Sequence, residues 1–189
     1  MWQAGPPMTV YTVGHGNRSL DELVAVLRSA GIGRLADVRR FPGSRRSPHF
    51  SREALAASLP GAGIAYDFRG DALGGRRRAS ASPSRHPAWQ DPSFRAYADY
   101  MDTPAFRAAL LRLEADAATG PPLAFMCAET LWWRCHRRLI ADALAVRGGE
   151  VVHLLGAAEH QPHPVHPDLR VDEEGWPVYD LHVTGALLG

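Results

Sequence analysis

The chain has no lysine, and only two of its 189 residues are cysteine. Two thiols cannot build the disulfide framework of a small secreted domain, so we expect reduced cysteines and a cytoplasmic protein. No apolar run approaches the roughly 20 residues that a membrane-spanning helix requires. The first residues contain neither the basic nor the apolar region of a secretory signal, and we therefore predict no association with a membrane.

The positive charge of this sequence comes from arginine alone. All 21 basic residues are arginines, whose planar guanidinium groups form paired hydrogen bonds with phosphate and carboxylate groups. The net charge of +1 conceals an uneven distribution, because residues 34–88 contain eleven arginines and four acids, whereas residues 158–180 contain six acids and one arginine. This distribution favours an anionic ligand for the first of these two segments.

Short apolar runs that are typical of strands alternate with amphipathic helical segments along most of the chain. Ser19 and Glu22 form a capping box, and the prolines that follow Asp91 and Thr103 mark two further helix starts. Such alternation predicts an α/β fold with a mostly parallel sheet of about five strands, covered on both faces by helices. The predicted strands are residues 9–14, 34–38, 64–68, 123–127 and 151–155.

The chain is expected to form one domain over residues 1–189, with a core of about 8–156. Residues 157–189, rich in proline and histidine, are expected to form a small C-terminal extension, either a β-hairpin or a wrapped tail. Residues 69–90 interrupt the alternation and contain Gly74, Gly75 and three consecutive arginines. Such a segment is typical of a mobile loop, and we interpret it as a candidate lid.

Candidate functional residues follow three of the predicted strands. In open α/β sheets, ligands bind beyond the carboxyl ends of the strands. His15, Asp37 and Cys127 all lie at such ends, with Arg39 and Glu129 close behind. We therefore expect these side chains at one edge of the sheet, although the strand order that decides whether they share a pocket does not follow from the sequence. Asp37 is expected to orient Arg39 rather than to transfer a proton.

Three arginines, Arg134, Arg137 and Arg138, open a predicted helix over residues 134–147. A helix N-terminus carries partial positive charge, so each cation in its first turn costs about 0.3–1 kcal/mol. A bound anion would reverse the sign of this contribution. We interpret the three arginines as an anion site, and the alternative is that Glu129 and other carboxylates form structural ion pairs with them.

Several ordered motifs are similar to those of a known bacterial family. They read TVGHGNRSLDEL (12–23), ADVRRFPGSRRSPHF (36–50), ALGGRRR (72–78), FRAYADYM (94–101) and MCAETLWWRCHRRLIADAL (126–144). The chain thereby resembles the family named domain of unknown function 488. The resemblance implies a Rossmann-like three-layer α/β sandwich and marks the motif positions as functional, but it implies no particular reaction. One departure is Gly16, where the family more often has serine or threonine.

The leading functional interpretation is an enzyme that acts on a phosphate-rich substrate, either a nucleotide or a nucleic acid. Arginine contacts to phosphates supply affinity without sequence information. Glu129, expected to be partly buried among arginines, is the candidate general base, and His15 is a candidate acid or orienting group. A tryptophan is expected to stack on a base. The candidate anion ligands are Arg39, Arg40, Arg45, Arg76, Arg134, Arg137 and Arg138 with Gly74 and Gly75, and the candidate stacking residues are Trp89, Trp132 and Trp133.

A second interpretation is thiol chemistry at Cys127, which precedes an arginine-bearing turn as in the anion loops of sulfurtransferases and phosphatases. Nearby arginines and a helix N-terminus are expected to lower the pKa of the Cys127 thiol and make it nucleophilic. Six residues separate Cys127 from Arg134, one more than in the phosphatase signature. Glu129 inside this loop would also repel an incoming anion.

Two further interpretations remain open at this point. Cys127, Cys135 and His136 with a distant histidine are a possible zinc set, but seven residues between the cysteines is not a standard spacing, so no metal or other cofactor is predicted. The last alternative is a non-enzymatic module whose arginines bind nucleic acid or an acidic protein partner.

Overall fold

A computed structural model of the chain describes residues 8–43 and 47–182. Its strands are β1 (Met8–Gly14), β2 (Arg34–Asp37), β3 (Ala65–Phe68), β4 (Leu123–Cys127), β5 (Gly149–Gly156), β6 (Glu159–Pro162), β7 (Leu169–Val171) and β8 (Pro177–Tyr179). Its α-helices are α1 (Leu20–Ser29), α2 (Arg52–Ser58), α3 (Gly70–Leu73), α4 (Pro92–Met101), α5 (Pro104–Thr119) and α6 (Arg137–Val146). Over these described ranges, no helix is long and apolar enough to cross a bilayer.

The central sheet has six strands in the order β3-β2-β4-β1-β5-β6. The first five are parallel, and β6 pairs with β5 in the antiparallel direction. The predicted mixed α/β fold with a mostly parallel sheet is thus confirmed, and five of its strands lie where the sequence indicates them. The sixth strand was not predicted, because residues 159–162 read EHQP and carry no apolar alternation.

Helices cover both faces of the sheet because side chains alternate along each strand. On β1, Val10 packs in one buried cluster and Val13 in the other. Leu27 of α1 and Leu55 of α2 belong to the Val13 cluster, while α4, α5 and α6 cover the opposite face. This arrangement confirms the Rossmann-like three-layer sandwich.

Helix starts agree with the capping signals, with one exception. The hydroxyl of Ser19 accepts a hydrogen bond from the backbone N–H of Glu22, whose carboxylate accepts one from the backbone N–H of Ser19. The helix predicted to begin at Arg134 begins instead at Arg137. Residues 132–134 form a 3-10 turn before it, because the side chains of Trp132 and Cys135 turn inward and are buried. Arg134 therefore lies outside the first turn of α6.

The segment expected to be an extension completes the core instead. Besides adding β6 to the sheet, it forms the β7–β8 hairpin, and Trp176 and Tyr179 are buried in the cluster that contains α6. Residues 69–90, interpreted as a candidate lid, are in contact with the core at both ends. They begin with α3, where Gly70 and Leu73 are buried, and His86 and Trp89 near their other end are buried as well, whereas all residues of 78–83 are exposed.

A chain of buried hydrogen bonds ties this C-terminal part to the sheet and to α6. The Arg137 guanidinium donates to the Thr12 hydroxyl at 2.7 Å, and that hydroxyl lies 3.0 Å from Nδ1 of His153. Nε2 of His153 lies 2.9 Å from Nδ1 of His163, whose Nε2 donates to the Asp142 carboxylate at 3.0 Å. With the hydroxyl donating to His153, every link of this chain has one donor and one acceptor, although Nε of Arg137 is buried without a hydrogen-bond partner.

Candidate functional site

The carboxyl ends of β1, β2 and β4 meet at one edge of the sheet, with β4 in the middle. Gly14 at the end of β1 is in register with Cys127 at the end of β4, and the backbone N–H of His15 donates to the Cys127 carbonyl at 3.0 Å. On the other side, the backbone N–H of Val38 donates to the Met126 carbonyl at 3.0 Å. The strand order thus brings the three predicted groups of side chains together.

A cavity of about 770 Å³ opens at this edge, within the size range of small-molecule sites. We call it the cleft. Four arginines and two carboxylates line it, together with two thiols, one imidazole and three aromatic rings. The lining residues are Arg39, Arg40, Phe41, Gly43, Gly75, Arg76, Asp91, Ser93, Phe94, Tyr97, Cys127, Ala128, Glu129, Arg134, Cys135 and His136.

Some predicted anion ligands do not line the cleft. The Arg137 side chain is buried, and its guanidinium donates to the Thr12 hydroxyl and to the Glu129 carbonyl. The Arg138 guanidinium lies over the ring of Trp89, 4.8 Å from its centre. Among the other candidates, Gly74 packs under Arg40, outside the lining, and Arg45 lies outside the described residues. The helix start therefore does not gather its arginines around an open anion site.

Arg39 reaches the wall of the cleft from a fully buried ion pair. Its Nε and Nη2 donate to the two oxygens of Asp37 at 2.8 and 2.6 Å, and Nη2 also donates to the Phe50 carbonyl at 2.7 Å. The Tyr66 hydroxyl donates to the same carboxylate at 2.7 Å. Asp37 has no exposed surface, so its role in this geometry is to hold and orient the arginine.

His15 is buried next to Arg39 and does not line the cleft. Its Nδ1 donates to the Gly16 carbonyl at 2.9 Å, and its Nε2 accepts a hydrogen bond from Nη1 of Arg39 at 3.2 Å. Burial, together with the charge of Arg39, lowers the pKa of His15 to about 4. A neutral imidazole whose lone pair is already bonded suits the orienting role that the sequence suggested and does not suit the role of a general acid.

Two thiols and one imidazole converge at the floor of the cleft. Nδ1 of His136 lies 3.6 Å from the sulfur of Cys135 and 3.9 Å from the sulfur of Cys127. Nε2 of the same ring donates to the Val38 carbonyl at 3.2 Å, so the lone pair of Nδ1 faces the sulfurs. Gly75 allows this approach, since a Cβ at position 75 would lie 2.9 Å from Nδ1.

The two thiols have opposite pKa shifts, and the direction at Cys127 is contrary to the expectation from the sequence. The hydrogen bond with Cys135, reinforced by burial, raises the pKa of the Cys127 thiol well above its usual value. Burial also acts to raise the pKa of Cys135, but the Cys127 hydrogen bond and the nearby His136 and Arg137 outweigh it and lower that pKa. A neutral Cys127 thiol is a weak nucleophile.

Glu129 is exposed in the cleft rather than partly buried among arginines. Its carboxylate accepts a hydrogen bond from the backbone N–H of Leu131 at 3.0 Å, and no arginine of the described ranges forms an ion pair with it. The turn that follows β4 directs the side chain outward because the backbone carbonyl of Glu129, not its carboxylate, faces Arg137. The carboxylate is therefore accessible to a ligand in the cleft.

The aromatic rings of the cleft differ from the predicted stacking residues. Trp89 and Trp132 are buried, and Trp132 stacks on His153 with their ring centres 4.3 Å apart. Trp133 is exposed but does not line the cleft. Phe41 and Phe94 line it instead, and 65% of the Phe41 surface is exposed. The aromatic surface available inside the cleft therefore comes from phenylalanine and not from tryptophan.

Comparison with known proteins identifies one family. The sequence model described as "Domain of unknown function DUF488" matches residues 19–144, two thirds of the chain. The match includes the ends of β2 and β4 and all of the residues that line the cleft. No curated protein and no solved structure matches the chain.

Proposed function

Because the chain belongs to the DUF488 family, whose description assigns no reaction, we propose a function from the cleft itself: an enzyme that acts on a nucleotide-sized phosphate ester. The observation that carries this proposal is that guanidinium groups and potentially reactive side chains line the same cavity. Arg76 and Arg134 belong to the same lining as Cys127, His136 and Glu129. The same cavity can therefore bind an anionic substrate and present reactive side chains to it.

Positive charge exceeds negative charge on the lining of the cleft. Asp91 is held by the backbone of its own helix, where it accepts hydrogen bonds from the N–H groups of Ser93 and Phe94. Arg40 donates to the Arg76 carbonyl at 2.8 Å, which connects two of the arginine-bearing segments across the cleft. Guanidinium groups bind phosphate through paired charged hydrogen bonds. A phosphate group is therefore the ligand chemistry that this lining favours.

The shape of the site favours a nucleotide over a long nucleic acid. Its volume of about 770 Å³ is that of a small-molecule site, and its arginines are gathered around one cavity. Phe41 and Phe94 offer apolar ring surface on which a base can stack. A single-stranded nucleic acid would need a longer groove, and its binding is an alternative outcome of the experiment below.

Nucleotide binding is expected to depend on the arginines of the cleft. Titration of mono-, di- and triphosphate nucleosides by isothermal calorimetry should reveal binding that weakens as salt rises. Arg134→Gln and Arg76→Gln should each weaken it by about 10- to 100-fold, because a hydrogen bond to a charged group contributes about 1.5–3 kcal/mol. The matched control is Arg112→Gln, since Arg112 is exposed on α5 and lies away from the cleft.

Two results would contradict this proposal. If none of the nucleotides binds at low salt, or if Arg112→Gln weakens binding as much as Arg134→Gln does, the cleft is not the nucleotide site. Tight binding of single-stranded oligonucleotides in place of nucleotides would instead favour the nucleic-acid alternative. The same titrations therefore separate the two substrate classes.

Glu129→Gln is expected to separate an enzyme from a binding module. Glu129 is an accessible carboxylate on the lining, so it can accept a proton from a bound substrate or water. The variant should bind the best nucleotide of the panel within about threefold of the wild-type protein and lose about 10²- to 10⁴-fold in turnover, measured by chromatography of the products. Unchanged turnover would show that Glu129 is not the base, and no turnover by the wild-type protein would favour the non-enzymatic module.

A further inference from the structure

We propose that Cys127, Cys135 and His136 form a zinc site at the floor of the cleft. This inference deepens the proposed function, because the ion would lie in the cavity that receives the substrate. The sequence offers these three residues as a possible zinc set, but the spacing of the two cysteines is not a standard one. Three ligand atoms lie close together, a hydrogen bond holds the imidazole from behind, and the ligands face an open cavity.

The three ligand atoms have the separation that one ion requires. Both sulfurs and Nδ1 of His136 lie within 4.8 Å of one another. With Zn–S bonds of about 2.3 Å and Zn–N bonds of about 2.0–2.1 Å, two ligands of a tetrahedral zinc lie about 3.5–3.8 Å apart. The distances from Nδ1 to the sulfurs of Cys135 and Cys127 are 3.6 and 3.9 Å. Small shifts of the side chains would therefore complete the coordination.

The imidazole of His136 is oriented as metal-binding histidines usually are. Its Nε2 donates to the Val38 carbonyl at 3.2 Å, which fixes the proton on Nε2 and leaves the Nδ1 lone pair free. Such a hydrogen bond from the second ring nitrogen commonly holds a ligating histidine in place. The rings of Tyr97 and His136 pack edge to face with their centres 5.1 Å apart, and this contact limits rotation of the imidazole.

Backbone geometry explains how Cys127, Cys135 and His136 come together despite their unusual spacing. Cys127 ends β4, while the 3-10 turn over residues 132–134 returns the chain so that Cys135 faces it. Gly75 closes the site from the loop after α3, and any side chain there would crowd Nδ1. The set is therefore assembled by the strand end, the turn and the glycine together.

The fourth coordination position would face the cleft. All three ligands belong to the lining of the cavity, and Glu129 and Arg134 lie on the same lining. Three protein ligands with one open position are typical of catalytic zinc, whereas structural zinc has four protein ligands. A zinc ion here would bind and activate a water molecule beside the phosphate-binding arginines. The site class is therefore a catalytic Cys₂His zinc centre.

The test measures metal content and coordination directly. The full chain, produced with zinc in the medium and desalted under reducing conditions, should retain about one zinc per chain by mass spectrometry of the metal. Replacement by cobalt should give the intense visible absorption of a tetrahedral site with thiolate ligands. Cys127→Ser, Cys135→Ser and His136→Ala should each lower the retained metal at least tenfold. His160→Ala is the matched control, because His160 is exposed on β6 away from the cleft.

Several results would overturn the zinc site. These are the absence of retained zinc in the wild-type protein, equal retention by Cys127→Ser, and a cobalt spectrum without thiolate bands. Because a ligand variant can fail to fold, circular dichroism of each variant accompanies the metal analysis, and the cobalt spectrum of the wild-type protein stands without any variant. Metal analysis and nucleotide titration of the same preparation separate the two proposals. A wild-type protein that binds nucleotide but retains no zinc refutes only the metal site, and one that retains zinc but binds no nucleotide refutes only the substrate.

Discussion

Replacing Asp142 by alanine is expected to lower the free energy of unfolding by about 3–5 kcal/mol, among the largest effects of a single substitution. The Asp142 carboxylate has no exposed surface. It accepts hydrogen bonds of 3.0 Å from Nε2 of His163, from the backbone N–H of His166 and from the hydroxyl of Tyr179. Alanine at this position would leave three buried donors without an acceptor, and each costs about 1–3 kcal/mol.

Urea denaturation followed by circular dichroism and tryptophan fluorescence measures this loss. Tyr179→Phe removes only one of the three donors and should cost about 1 kcal/mol. Asp21→Ala is the matched control, since Asp21 is exposed in the first turn of α1 and contributes at most about 1 kcal/mol there. A loss in Asp142→Ala no larger than that of the control would show that the buried carboxylate does not anchor the C-terminal part.

Acidification is expected to produce the second large effect, through buried neutral histidines. Burial, with the charge of Arg39, lowers the pKa of His15 to about 4, and burial, with the neighbouring His163 and Arg137, lowers the pKa of His153 to about 3. The unfolded chain binds protons at these positions near pH 6.5, whereas the folded chain does not. Stability is therefore full above about pH 6.5 and falls as the pH decreases toward 4.

The size of the acid effect follows from the shift at His15. A pKa that differs by one unit between the folded and unfolded chains corresponds to about 1.4 kcal/mol. His15 therefore lowers the free energy of unfolding by about 3 kcal/mol between pH 7 and pH 4. Urea denaturation at several values of pH measures the slope. His15→Gln should be less stable at pH 7 and should lose less on acidification, and His160→Gln, at an exposed position, is its control. Equal slopes for the wild-type protein and His15→Gln would contradict this origin.

The parts of the fold that the sequence predicts are those set by local interactions. Ser19 and Glu22 satisfy each other within one helical turn, and Pro92 and Pro104 begin their helices as expected, because these signals need only neighbouring residues. Strand-like runs of five or six residues located β1 to β5 for the same reason. The alternation of strands and helices along the chain also predicted that the strands are parallel and that helices cover both faces of the sheet.

A β-hairpin was one of the two predictions for the C-terminal part, and β7 and β8 form one, but the packing of this part against the core did not follow from the sequence because it depends on distant contacts. The strand β6 consists of polar residues and proline, and it exists because β5 offers it an edge. His163 lies between two prolines, so its sequence gives no sign that it is buried between His153 and Asp142. Trp89 and Trp132 were candidates for stacking on a base, but both are buried by segments far along the chain, which the local sequence does not reveal.

The candidate site was partly predictable for a general reason. The rule that ligands bind beyond the carboxyl ends of strands brought His15, Asp37 and Cys127 to one edge, where the structure places them. The proximity of Cys127 to Cys135 and His136 depends on a 3-10 turn that spacing does not reveal. Phe41 and Phe94 reach the cleft through loop geometry, although the sequence carries a signal for Phe41, an aromatic residue directly after two arginines.

The position of β1 in the middle of the sheet has a consequence for synthesis of the chain. Val10 pairs with Leu123 on one side and with Val151 on the other, so both partners of β1 come more than 100 residues later. At ribosomal rates of about 5–20 residues per second, this apolar strand emerges on the order of 10 s before its first central partner. Contacts so distant in sequence also form slowly once the chain is complete. In the nascent chain β1 therefore lacks both of its neighbouring strands until translation reaches β4.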